Sequence, residues 1–299
     1  MKSNFETFGV DQVIELNHGD WHSMVSPQGA SLKTLSYKNE PLVVVPLPVT
    51  DFAFVGSALA PWANRLEDAT WELDGKKFYG EITEPSNNNG LHGLVVARDF
   101  DVVAQAEASV TFRYTFGADA VYPFKVIFEV TYTLTDAGLR VTMAATNRDS
   151  RDLPISFGSH PYFLVDEDSE VKVSAAKATL NSSRRLPIGE QSVHAIGLAH
   201  NEFVPVFKMQ LDDRLFELGH NGRTVLSRPA LGRNIVVWQD PEFAYQMMFV
   251  RGPRFAGSNP VTLAIEPQTS PANALASNVD AVWLTVGETR AFSWGVSVE

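Results

Sequence analysis

The chain has 299 residues, 44% of them hydrophobic and 20% charged, a globular composition that excludes global disorder and supplies ample material for a core. Its 35 acidic residues against 24 basic ones give a net charge of −11, which repels a nucleic acid backbone or an anionic membrane and argues against both as partners. With no cysteine, disulfides, thiol nucleophiles and cysteine-ligated metals are excluded, and the chain suits a reducing cytoplasm.

Residues 1–12, MKSNFETFGVDQ, lack a basic segment followed by an apolar one, so no signal peptide is expected. No apolar run reaches ~18 residues, so no spanning helix is expected either. Trp71-Glu72-Leu73-Asp74-Gly75 followed by Phe78-Tyr79 reads as a hairpin from its Asp-Gly turn. Val110 to Phe116 reads as a strand. From Phe124 to Leu134 one face carries Phe124, Val126, Phe128, Val130, Tyr132 and Leu134; after Asp136-Ala137-Gly138 the alternation resumes at Leu139, Val141, Met143 and Ala145. That pattern predicts a long antiparallel hairpin. Asn234–Trp238 and Tyr245–Val250 are further strands, and the best helical candidate is a short turn near Ser270–Leu275, with Pro271 at its start. Short strands with turn residues between them predict an all-β fold, one large antiparallel β-sandwich forming a single domain over residues 1–299.

Several polar islands interrupt these apolar stretches. His160 lies in GSHPYF, where Pro161 biases it toward extended backbone. It reads either as a structural histidine or as a positioned proton donor. Glu266, in AIEPQTSPANA, falls on the opposite face from Leu263 and Ile265. It is either a solvated strand end or a carboxylate whose basicity is raised in a cleft. Trp62-Ala63-Asn64-Arg65 combines an indole, an amide and a guanidinium, a set suited to holding sugar hydroxyls. His92 stands between Gly90 and Gly93, and Asp212 beside Asp213 and Arg214; a turn histidine and a surface ion pair are the plainer readings. No HExxH, GxGxxG, P-loop or GxSxG pattern occurs, so neither a metal nor a cofactor is expected. Acid–base chemistry or sugar binding remains.

These islands, in order, resemble the aldose 1-epimerase (galactose mutarotase-like) family. The matching stretches are GSALAPWANRLEDATWELDGKKFYG, EPSNNNGLHGLV, FGSHPYF, LDDRLF, AIEPQTSPANAL and LTVGETRAFSW. The PW-x-NR and LHGL forms are most similar to the shorter bacterial branch that includes sulfoquinovose mutarotase-like proteins. The resemblance implies a galactose mutarotase-type supersandwich that interconverts the α and β anomers of a free aldose. It implies Glu266 as general base and His160 as general acid, with His92 assisting near the ring oxygen or anomeric hydroxyl. Arg65 and Asp212 would hold sugar hydroxyls, with Asn64, Gln268 and Trp62 as supporting pocket residues. The chain departs from the pattern at Ala272, where the family carries Asp, at Leu284-Thr285-Val286-Gly287-Glu288, and at Leu164-Val165. The expected partner is a small-molecule sugar, bound by a monomer or homodimer. A hexose-6-phosphate or sulfo-sugar 1-epimerase is the alternative within the fold, with Arg65, Arg98 and Arg233 as candidate anion contacts. A non-catalytic sugar-binding module is the alternative of another class.

Overall fold

A computed structural model describes residues 13–45, 54–117, 119–208, 214–218, 222–251 and 261–299. Two antiparallel sheets dominate it. The smaller, nine-stranded one runs 101–106, 109–116, 126–135, 138–147, 289–298, 233–239, 223–228, 170–173, 204–205. The larger, twelve-stranded one runs 14–18, 21–26, 31–37, 40–43, 162–164, 262–268, 245–251, 214–217, 177–181, 187–192, with the short strand 158–159 paired to 262–268 and 58–59 paired to 158–159.

The predicted long hairpin is present as Val126–Thr135 paired with Gly138–Asn147, and it is buried at every second residue through its first strand. Tyr132 carries its hydroxyl to the Ala30 carbonyl at 2.7 Å, which ties this strand to the larger sheet. Phe157 bridges the layers similarly, 5.7 Å from Phe128 and stacked at 5.7 Å on Phe292. Such inward-facing aromatics each bury 150–250 Å², roughly, and dominate the core. The Asp74-Gly75 hairpin joins 70–73 to 76–79, both turn residues at positive φ. The expected helical turn forms later than Pro271, as a single turn at Ala274–Ser277. Among the described residues no helix is long and apolar enough to cross a membrane.

Candidate active site

The larger sheet builds the site through the pleat. In Thr262–Gln268, Leu263 and Ile265 face the core, so Ala264, Glu266 and Gln268 face the other way. One neighbouring strand places Met247 opposite Glu266 and Phe249 opposite Ala264. On the other side Gly158 lies opposite Gln268 and Tyr162 opposite Ala264. The same register carried between them sets His160 against Glu266, although Pro161 interrupts the ladder. His160 Nε2 lies 3.2 Å from Glu266 Oε1. The two are 5% and 2% exposed, so Glu266 is not the solvated strand end that its flanking proline allowed.

A loop layer closes over this wall. His92 sits at φ 61° beside Gly93 at φ 77°. A Cβ on Gly93 would lie 2.1 Å from the Ala60 carbonyl oxygen, so only glycine lets the loop approach this closely. His92 and His160 meet edge to face with centroids 5.2 Å apart. Together with Asn64, Arg65, Tyr162 and Glu266 they line a cavity of about 300 Å³, the lower end of ligand-pocket sizes and suited to a monosaccharide.

Arg65 is held more firmly than a surface arginine. Its Nε and Nη2 form a fork on Glu84, with contacts of 2.9 Å and 2.8 Å, and Glu84 also accepts from Asn89 at 3.0 Å. Burial alone would push the Glu84 carboxyl up, but the Arg65 fork and charge, with the Asn89 and Asn87 amides, bring it below its usual value. Removing one partner of a buried pair strands the other charge, at about 3–5 kcal/mol. We expect Glu84→Ala to lose about that much in urea denaturation and to raise KM; unchanged stability would show the pair to be dispensable.

Burial governs the central pair as well. It pushes the Glu266 carboxyl up to about 8, opposed by the Gln268 amide, which donates to it at 3.2 Å, and by the Arg65 charge. It pushes the His160 imidazole down to about 3; a contact to its own backbone opposes this and the Arg251 charge adds to it. A 3.2 Å contact between opposite charges favours an ion pair, whereas desolvation favours the neutral pair. For two groups this deeply removed from water, desolvation wins in the free protein. The pair therefore keeps one shared proton across neutral pH, a different arrangement from two separately charged groups.

The remaining predicted residues are placed less directly. Gln268 stands behind Glu266 and is fully buried, while Trp62 packs into the apolar core. Asn64 accepts the Arg65 backbone N–H at 2.8 Å. Asp212 lies outside the described residues. Glu84, Met247, Phe249 and Arg185 also line the cavity and were not singled out from the sequence. Met247 is the antiparallel neighbour of Glu266, a register that the sequence does not state; Glu84 sits in the quoted EPSNNNG stretch, which gave no sign of its role.

The family model for aldose 1-epimerase matches residues 12–289. The chain belongs to the aldose 1-epimerase family. The uncharacterized protein YihR of Escherichia coli K12 is 23% identical over 291 residues, covering 95% of this chain and 92% of that one. Human galactose mutarotase is 27% identical over 142 residues, 46% of this chain and 40% of its own. In fold, the chain matches an aldose epimerase homologue from C. elegans at TM-score 0.82 and 19% identity, covering 96% and 98%. A galactose mutarotase-like protein from Clostridium acetobutylicum matches at TM-score 0.79 and 21% identity, covering 96% and 95%. The β-sandwich is thus the galactose mutarotase-like fold, and membership of the aldose 1-epimerase family carries a sugar isomerase activity.

Sequence spacing gave no metal site, yet one nitrogen or oxygen from each of His92, His160 and Glu266 lies within 4.8 Å of the others. The donor set is of a kind that binds zinc, but the groups behind the two imidazoles do not fit a ligand role. A ligating imidazole donates its other N–H to an acceptor, whereas His92 Nδ1 receives the Asn64 backbone N–H at 3.3 Å and His160 Nδ1 has no partner among the described residues. His18 and His22, four residues apart, face separate carboxylates, Asp136 at 2.9 Å and Glu15 at 4.0 Å.

Proposed function

We propose that this chain is an aldose 1-epimerase interconverting the α and β anomers of a free aldose, with Glu266 as base and His160 as acid. The observation that carries the reading is the 3.2 Å separation of His160 Nε2 and Glu266 Oε1 on one cavity wall. Both oxygens handled in mutarotation are bonded to the same carbon, so an acid and a base on one wall of the cavity can reach both at ordinary hydrogen-bond distance.

In ring opening the shared proton first passes from Glu266 to His160 across their 3.2 Å contact; Glu266 then takes the proton from O1 as the C1=O1 bond forms and the C1–O5 bond breaks, and His160 gives its proton to O5. Rotation about C1–C2 presents the other face of the aldehyde. In closure O5 returns its proton to His160 as it attacks C1, and Glu266 returns the other to O1. Atoms and charge balance with no further reactant. Each positioned transfer is worth about 10²–10⁴-fold. Arg65 and Asn64 from the loop layer hold hydroxyls in this reading, and Asp212 stays a candidate contact.

Arg185 also lines the cavity, and it favours a second reading in which the aldose carries an anionic substituent such as a phosphate or sulfonate. NMR measurement of anomer exchange across neutral, 6-phospho and 6-sulfo aldoses tests both. Exchange faster than the uncatalysed rate for the neutral sugars supports the first, and a preference for the anionic ones the second. No acceleration of any aldose would refute the proposal.

A further inference from the structure

We propose that the main chain at Asn64 fixes His92 as a neutral imidazole with its hydrogen on Nε2, so that His92 serves the site as a hydrogen-bond donor and not as a proton carrier. Two observations carry this. The Asn64 backbone N–H points at His92 Nδ1 at 3.3 Å, and the His92 backbone N–H returns to the Asn64 carbonyl at 2.8 Å. Both residues hold the left-handed backbone, at φ 60° and 61°, a conformation costing about 1–3 kcal/mol for a residue other than glycine unless its surroundings enforce it. Here the Arg65–Leu91 strand pairing on one side and the close Gly93–Ala60 approach on the other enforce it.

A backbone N–H can only donate, so Nδ1 must keep its lone pair, and a neutral imidazole then carries its hydrogen on Nε2. Protonating Nδ1 would set two N–H groups against each other. The charged or titratable groups around the ring, His160, Arg65 and Glu266, offer no second acceptor on the Asn64 side. His160 differs in this respect. No backbone N–H meets its Nδ1 among the described residues, and its Nε2 faces a carboxylate, so neither nitrogen is held as an acceptor by the main chain. The two histidines are thus unequal by construction, one fixed and one able to exchange, and the same lock opposes a metal ion on the cluster. Asn64 is a positioning residue in this scheme, acting through His92.

The tautomer stands independently of the proposed function, whereas the donor's part in turnover rests on it. Long-range ¹H–¹⁵N correlation spectra of the ¹⁵N-histidine-labelled protein test the first point, with His92 assigned by its loss in His92→Gln. We expect the Nε2–H pattern, unchanged from about pH 5.5 to about pH 9 and unaffected by equimolar Zn²⁺. An Nδ1–H pattern, a titration in that range, or zinc-dependent loss of the Nε2 hydrogen would overturn it. Gln can donate a hydrogen bond but cannot relay a proton. His92→Gln should therefore keep anomer exchange within about tenfold of the wild type, while His92→Phe loses about 100-fold. Equal losses in both variants would overturn the donor-only role. If the wild type itself exchanges no anomers, the function fails and the spectra still decide the tautomer.

Discussion

Replacing Glu266 by Gln is expected to lower anomer exchange by about 10³–10⁴-fold while making the protein more stable. The activity loss follows because the amide can accept no proton from O1. The stability gain follows from burial, which raises the carboxyl from 4.5 to about 8 in the folded state. A group whose folded value is raised contributes its stability fully below the unfolded value and loses it as pH climbs toward the folded one. Wild type and variant should therefore match near pH 4.5, diverge in the variant's favour up to about pH 8, and run parallel above it. Each pH unit between the unfolded and folded values corresponds to about 1.4 kcal/mol, so the gain is a matter of a few kcal/mol, read from thermal or urea unfolding at several pH values. Wild-type turnover in Glu266→Gln would refute the base. A stability difference independent of pH would refute the burial effect.

Exchange by the wild type should fall about tenfold per pH unit above about 8 and hold level down to strongly acidic pH. The reason is that the pair works only while it holds one proton. Above about 8 that proton leaves Glu266, and a second arrives only near 3, where burial has put His160. His160→Gln removes the donor and should lower turnover by about 10²–10⁴-fold. It should also reverse the sign of the remaining pH dependence. With Glu266 acting alone, residual exchange requires the free carboxylate and should rise with pH toward about 8. A residual rate that still falls above that value would mean another group supplies the proton.

Much of the sheet structure was legible because period-2 alternation is a local property. Val126–Thr135, Gly138–Asn147 and the Asp-Gly hairpin stand where the side-chain pattern put them. Register is not local. Nothing within GSHPYF or AIEPQ states that residues 158 and 268, and then 162 and 264, lie opposite each other. Only that pairing turns two isolated titratable residues into a couple. Glu84 was missed for a similar reason: its partner is nineteen positions away on Arg65, and no short-range pattern marks a buried ion pair. The shared proton also escaped the sequence, since it depends on how completely both groups are shielded from water.

The anchoring of the Arg184–Arg185 loop bears on how this protein could acquire new substrates. Arg184 ties it to Glu67 and Asp68 and to the main chain at Asn87 and Asn88, so the segments bearing Arg185, Glu84 and Asn87 are stapled into one cover. Beneath it lie Glu266 in the strand 262–268 and His160 between the strands 158–159 and 162–164, whose register on 262–268 sets the two side by side. Exchanging the cover between relatives should retune which hydroxyl pattern or substituent is accepted and, because Glu84 holds Arg65 and the Arg65 charge acts on Glu266, should move the Glu266 carboxyl with it.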